Sequence, residues 1–175
     1  DLLAVLFRSG STSVEPKMME LEAVQTCCRL FSNYPFNNLL HHCVTALLVA
    51  ALTRCSEDML RHVFEHCKLL DWLTSLQVEV KPVPLPGNEE LAASKPSVRA
   101  GYMGHVTQIA TTLESLTQQP HSSSSSSDAG QDSSAGGAAA AAAAASPSSK
   151  SLVAKYLEGH TGWHSYVKEQ LHYQQ

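Results

Sequence analysis

The stretch that decides the fold is Asn37-Asn-Leu-Leu-His-His-Cys-Val-Thr-Ala-Leu-Leu-Val-Ala-Ala-Leu52. Leu39, Leu40, Cys43, Val44, Leu47, Leu48 and Ala51 recur at intervals of three and four, the spacing of one helix face. Ala46, Val49 and Ala50 make the opposite side apolar as well. A helix apolar nearly all round is buried on several sides, so this one is expected to lie at the centre, capped by Asn37 or Asn38. It is too short to cross a bilayer, which needs about 20 apolar residues.

Working outward, the flanking segments also carry helical spacing. Leu21, Val24, Cys28 and Phe31 form one stripe, with Pro16 suited to a first helical turn and Tyr34-Pro35 marking its end. Ser56 followed by Glu57-Asp58 places a capping hydroxyl and then acids at a helix start. Met59, Leu60, Val63, Phe64 and Cys67 form that helix's stripe, a break falls near Lys68, and Leu69, Trp72, Leu73 and Leu76 follow. A helix from about Arg99 to Thr117 carries Met103, Val106, Ala110 and Leu113, broadened by Tyr102, Ile109 and Leu116. Glycine is roughly 1 kcal/mol worse than alanine inside a helix. Gly101 and Gly104 near its start therefore suggest a close approach by another backbone or a partner. Near the C-terminus, Leu152, Val153, Tyr156 and Leu157 precede Gly159, and Thr161 is the expected cap of a last helix with Trp163, Tyr166, Val167 and Leu171.

No convincing strand is found. The expected fold is all-α, a HEAT- or armadillo-like helical-repeat solenoid fragment of stacked helix pairs. Residues 1–120 form its first helical segment, with a Pro-rich loop at 78–97 that holds Pro82, Pro84, Pro86, Gly87 and Pro96. Residues 121–149 are low in complexity, with Ser122 to Ser127 and Ala138 to Ala145, and disorder is expected there. Eight alanines fall short of the ~12–15 residues an isolated helix needs. Residues 150–175 supply the last helices of the same domain. The start on Asp1-Leu-Leu-Ala-Val-Leu-Phe7, an apolar helix without a polar lead-in, suggests a piece of a longer protein that aggregates in isolation.

Composition narrows function. The net charge is −4, and the 12 Lys and Arg form no block, which argues against nucleic-acid binding. Five cysteines at 27, 28, 43, 55 and 67 sit in apolar helical stretches, as free thiols in a reducing compartment do. A zinc-stabilised helical module is one alternative, built from His62 and His66 at i and i+4 with Cys55, Cys67, His41, His42 and Cys43 near. Against it, there is no Cys-x-x-Cys pair, and Cys43 and Cys67 are in phase with the core stripes. No nucleophile elbow or Walker loop is present, so neither catalysis nor a cofactor is expected. What remains is surface: Arg99, Tyr102, His105 and Gln108 share the start of one helix, and Tyr and Arg are enriched at binding hot spots. For Tyr102, core packing is an equal alternative.

Three islands carry a resemblance. They are Tyr34-Pro-Phe-Asn-Asn-Leu-Leu-His-His42, Met59-Leu-Arg-His-Val-Phe-Glu-His-Cys67 and Arg99-Ala-Gly-Tyr-Met-Gly-His-Val-Thr-Gln-Ile-Ala110. The ending Trp163-x-x-Tyr166-Val167 with Leu171 adds to them. In order and spacing they resemble the SAPS-domain family, the regulatory subunits of protein phosphatase six. The run Gly101-Tyr-Met-Gly-His105 is the specific part; the Pro-rich loop and the Ser/Ala insertion depart from the family pattern. The resemblance implies the C-terminal part of a SAPS domain. It also implies a scaffold in the cytoplasm, and in the nucleus as well, that binds a serine/threonine protein phosphatase catalytic subunit. That scaffold would direct the enzyme to substrates, alongside further regulatory subunits, with no nucleic acid or membrane as partner. Arg99, Tyr102, Met103, His105 and Gln108 are the candidate partner-binding residues, and no metal-binding or catalytic residue is implied. The alternative is a generic helical-repeat interaction scaffold, unrelated to phosphatase, that works through the Pro-rich loop.

Overall fold

The computed structural model describes residues 2–9, 13–81, 96–117 and 146–171. The Pro-rich run 82–95 and most of the Ser/Ala insertion, 121–145, lie outside the described residues. The described chain is all-α apart from one short ladder. Its helices are α1 (Leu2–Arg8), α2 (Val14–Glu20), α3 (Ala23–Asn33), α4 (Asn38–Arg54), α5 (Glu57–Arg61) and α6 (Leu69–Ser75), then α7 (Met103–Thr117), α8 (Pro147–Gly159) and α9 (Thr161–Tyr166). Helices α5 and α9 run on into π-helical turns, His62–His66 and Val167–Leu171.

Helix α4 is the hub that its all-round apolarity predicts. It packs against α1, α3, α5 and α7. Val44, Leu47, Leu48, Ala50, Ala51 and Leu52 are buried within one continuous core. Burying each large aliphatic side chain contributes roughly 1.5–3 kcal/mol. Asn37 supplies the cap, its Oδ1 accepting from Leu40 N at 3.1 Å. Ser56 caps α5 in the same way, with Oγ accepting from Met59 N at 3.3 Å. Neighbouring helices pack on one another, α1 on α2, α2 on α3 and α3 on α4, in keeping with the expected helical-repeat layering.

Several boundaries differ from expectation. Glu22 has φ 48°, a left-handed backbone that separates α2 from α3 and takes Leu21 out of phase, so Leu21 is 61 % exposed instead of joining the stripe. Lys68, at φ 49°, makes the expected break before α6. The last helix is capped by His160 rather than Thr161, because the His160 Nδ1 accepts from Trp163 N at 3.1 Å. Helix α8 starts at Pro147 with Ser146 as its cap, inside the segment assigned to the insertion.

A two-residue antiparallel ladder pairs β1 (Glu79–Val80) with β2 (Val98–Arg99), Glu79 opposite Arg99 and Val80 opposite Val98. It closes the base of the Pro-rich loop. Alternation over two residues leaves no sequence signal. Pairing Arg99 into it delays the helix, which begins at Met103 instead of Arg99. Helix α1 buries Ala4 and Phe7 against α4, so the apolar start is only half uncovered; Leu2 and Val5 face outward.

Candidate partner-binding surface

The first and third motif islands meet. Helix α3 ends at Asn33, and residues Tyr34-Pro35-Phe36-Asn37 form a tight turn in which Asn37 N donates to Tyr34 O at 3.0 Å. Pro35 suits the second position of such a turn because its φ is already set. Two further donors hold this backbone. His41 Nε2–H donates to Tyr34 O at 2.9 Å, and Gly101 N donates to Pro35 O at 3.0 Å. Gly101 is glycine for a steric reason: a Cβ there would sit 2.9 Å from Pro35 O, a backbone atom with no rotamer to give. The close approach expected from the paired glycines is thus real at Gly101. At Gly104 an added Cβ would meet nothing within 4 Å, so that glycine faces open space.

With its backbone gripped, the turn presents its side chains outward. Tyr34 is 55 % exposed, Phe36 51 % and Leu39, on the first turn of α4, 75 %. Leu39 was expected on the buried stripe. It falls at the helix start, before α4 passes beneath its neighbours, and no described element covers it. Three large apolar side chains within six residues stay in contact with water.

Behind the turn lies an aromatic cluster. Tyr102 is only 2 % exposed; its hydroxyl donates to Gln77 O at 2.9 Å. Its ring centroid lies 5.3 Å from Phe31 and 5.5 Å from His41. Phe31 also meets Trp72 edge-on at 5.3 Å, and the Trp72 indole N–H donates to Ser32 Oγ at 2.9 Å. Burial holds the His41 pKa below the usual histidine range. His41 is therefore neutral at pH 7, with its proton on Nε2 facing Tyr34 O; among the described residues its Nδ1 has no hydrogen-bond partner.

His105 joins α7 to α4. Its Nδ1 is 3.2 Å from Thr45 Oγ1 and its Nε2 is 3.0 Å from the Asn38 side-chain amide oxygen. The Thr45 hydroxyl already donates to His41 O at 2.8 Å, so its oxygen accepts from His105 Nδ1–H. Burial, and then the nearby His41 and His42, depress the His105 pKa and favour a neutral ring. A neutral ring carrying its proton on Nδ1 needs a donor at Nε2, which Asn38 supplies when its amide is turned so that the NH2 group points inward.

The five sequence candidates therefore separate. Tyr102 and Met103 are core residues, His105 is a half-buried clamp, and Arg99 and Gln108 are exposed. Arg99 ends β2, two residues before the Gly101 contact with the turn. Gln108 faces a separate cleft together with His42 and Arg8. Tyr34, Phe36 and Leu39 were missed as surface residues although the first island contains them, because apolar character alone reads as core.

The other islands are structural. Phe64 stacks on Tyr156 with centroids 4.7 Å apart, and Trp163 is buried on α9, which packs against α6, while His160 Nε2 donates to Asp71 Oδ1 at 2.9 Å. His62 and His66 stack on each other at 5.1 Å. Among the described residues no group of three or more His, Cys, Asp or Glu side chains is placed to hold a metal ion. All five cysteines are free thiols. Burial pushes Cys55 up to about 12 and Cys67 up to about 11, so both stay protonated and poorly nucleophilic at pH 7. No described helix is long and apolar enough to cross a membrane.

The described residues thus define a protein of the all-α class, with one short ladder and with the Tyr34–Asn37 turn held at its surface. The profile of the SIT4 phosphatase-associated protein (SAPS) family matches residues 14–133. The chain belongs to that family. It is similar to serine/threonine-protein phosphatase 6 regulatory subunit 1 of Mus musculus, 26 % identical over 129 residues, covering 67 % of this chain and 14 % of that protein. It is also similar to regulatory subunit 3-A of Xenopus laevis, 25 % identical over 138 residues, with 69 % and 15 % covered. Regulatory subunit 3 of Gallus gallus is 25 % identical over 134 residues, with 67 % and 14 % covered. The chain thus spans about one seventh of the length of these relatives. No solved structure matches it.

Proposed function

We propose that this chain is part of a regulatory subunit that binds a serine/threonine protein phosphatase catalytic subunit and directs it to substrates, and that Tyr34, Phe36 and Leu39, flanked by Arg99, contribute to the contact. The observation that carries the reading is a large apolar triplet left in water on a turn whose backbone is immobilised by Gly101 and His41. Isolated exposed apolar residues are ordinary, whereas a cluster rimmed by polar groups marks an interaction site. Aromatic and Arg side chains on rigid backbone serve as hot spots because little entropy is lost on docking. The family membership and the names of the relatives support a phosphatase catalytic subunit as the partner.

In this reading the chain is not an enzyme. It acts by positioning, and the metals and the chemistry belong to the catalytic subunit. It works in the cytoplasm, and in the nucleus as well, alongside further regulatory subunits, and neither nucleic acid nor a membrane is a partner. Tyr102, Met103 and His105 support the surface from behind, while Arg99 and Gln108 are available for direct contact.

The test is co-purification of the catalytic subunit with the full chain and with a Phe36→Asp/Leu39→Asp double variant. Both positions are exposed, so the melting temperature should hold while recovery of the catalytic subunit drops at least tenfold. Undiminished recovery would remove the turn from the contact.

A further inference from the structure

A second surface lies where α1, α4 and α7 meet. A cleft of about 330 Å³ is lined by Arg8, His42, Thr45, Thr53, Arg54 and Gln108, with Ala46, Val49 and Ala50 as its floor. Its size is at the low end of ligand-binding pockets, which run from ~300 to ~1,000 Å³. Among the described residues no acidic side chain lines it. Arg8 and Arg54 are the last residues of α1 and α4, where a cation also meets the negative end of a helix dipole. The dipole alone explains one arginine at each helix end; it does not explain two arginines lining a shared cleft.

The guanidinium groups are not used up within the described residues. Arg8 Nε donates to Ala4 O at 3.2 Å, which orients the group and leaves both Nη nitrogens, and no described carboxylate pairs with either arginine. Glu15, the acid placed next to the end of α4, is engaged by Ser56 N at 3.2 Å and by the Ser56 hydroxyl and does not line the cleft. The Thr45 and Thr53 hydroxyls donate to His41 O and Val49 O, so the cleft's cationic donors are the arginines.

We infer that this cleft binds a phosphorylated serine or threonine side chain presented by a peptide segment, with Arg8 and Arg54 as the phosphate ligands. Guanidinium forks match the oxygens of a phosphoryl group and bond it bidentately. The Ala46, Val49 and Ala50 floor accepts an apolar side chain next to the phosphorylated residue, which a free inorganic anion would leave uncovered. His42 and Gln108 stand at the rim as further polar contacts. For a subunit that brings a phosphatase to its targets, such a cleft would retain a phosphorylated segment of the target. That use rests on the proposed function; the binding itself does not.

The test measures fluorescence anisotropy of the full chain with a labelled peptide in which phosphoserine is flanked by leucines. Its serine and glutamate counterparts, and competition by inorganic phosphate, complete the set. The phosphoserine peptide should bind at least tenfold tighter than the serine peptide, and weaken as salt rises. Arg8→Gln/Arg54→Gln should abolish that difference, whereas Arg61→Gln, outside the cleft, should not. Equal binding of phosphoserine and serine peptides, or a difference that survives the double variant, overturns the site. Equal binding of the glutamate peptide, or competition by phosphate as strong as by the phosphopeptide, overturns the assignment to a peptide-borne phosphoryl group. Thermal melts of the double variant check that it folds. Recovery of the catalytic subunit on the unaltered chain separates the two readings, because selective phosphopeptide binding by a chain that recovers no catalytic subunit keeps the cleft and refutes the phosphatase role.

Discussion

Gly101→Ala and Gly104→Ala should change stability in opposite directions. The two glycines are three residues apart, and sequence alone treats them alike. At Gly101 the new Cβ would lie 2.9 Å from Pro35 O, closer than real Cβ atoms approach another heavy atom, while the Gly101 N–H already bonds that same oxygen at 3.0 Å. Relieving the overlap means moving α7 away from the turn or stretching this bond, and Phe36 Cα, 3.7 Å from the Cβ position, limits the sideways escape. Overpacking of this kind costs typically about 1–3 kcal/mol. For a chain of this size each kcal/mol moves the melting temperature by about 2–4 °C, so a fall of roughly 2–12 °C is expected. Gly104 sits in α7 with nothing within 4 Å of an added Cβ, so alanine there gains about 0.5–1 kcal/mol of helix propensity and raises the melting temperature by a few degrees. Urea or thermal melts followed by circular dichroism of the full chain read both. Two shifts of the same sign, or a neutral Gly101→Ala, would refute the close approach of α7 to the turn.

Tyr102→Phe keeps the ring in the cluster and removes the hydroxyl bond to Gln77 O, so it should cost about 0.5–1.5 kcal/mol in a urea melt; no change would mean that the hydroxyl is not engaged. Asn37→Ala removes the cap of α4 and should cost about 1 kcal/mol by the same measurement, whereas Asn37→Ser should recover most of it. Stability should fall as pH drops below about 6.5, because His41, His62 and His105 all have folded pKa values held below the ordinary histidine value, chiefly by burial. The unfolded chain then binds more protons than the folded one, so the contribution is complete above the unfolded pKa and is lost as pH falls. His41→Phe should flatten the melting-temperature profile between pH 7.5 and 5.5; a profile as steep as that of the unaltered chain would contradict burial of a neutral His41.

How much could be read from the residues varies by element. The α4 hub was legible because apolarity on every side has one physical use in a water-soluble helix, and all of its expected core positions except Leu39 lie against protein or half against it. The Ser56 and Asn37 caps were legible because the capping chemistry is local. The close approach at Gly101 was legible, but the same argument fails at Gly104, since glycine marks permission for contact without requiring it. Three features left no trace. The ladder between β1 and β2 is set by pairing across the Pro-rich loop, and two residues have no periodicity. Glu22 adopts a left-handed backbone that its residue type does not favour, so the phase slip at Leu21 was invisible, whereas the break at Lys68 was expected. The histidine cap at the start of α9 replaces a more usual threonine because the His160 ring is already oriented by Asp71. The exposed triplet is the costliest omission for function. A leucine on a helical stripe is normally core, and only the lack of a described neighbour over the first turn of α4 shows that Leu39 is surface.

Recovery of a phosphatase catalytic subunit on the full chain, compared between the unaltered protein and Phe36→Asp/Leu39→Asp, is the most direct measurement of the central claim. Near one-to-one recovery with the unaltered chain, lost in the double variant at an unchanged melting temperature, is the predicted result. Absence of the catalytic subunit from the unaltered protein, with other partners in its place, would contradict the phosphatase role and leave the shared family architecture as the whole of the likeness.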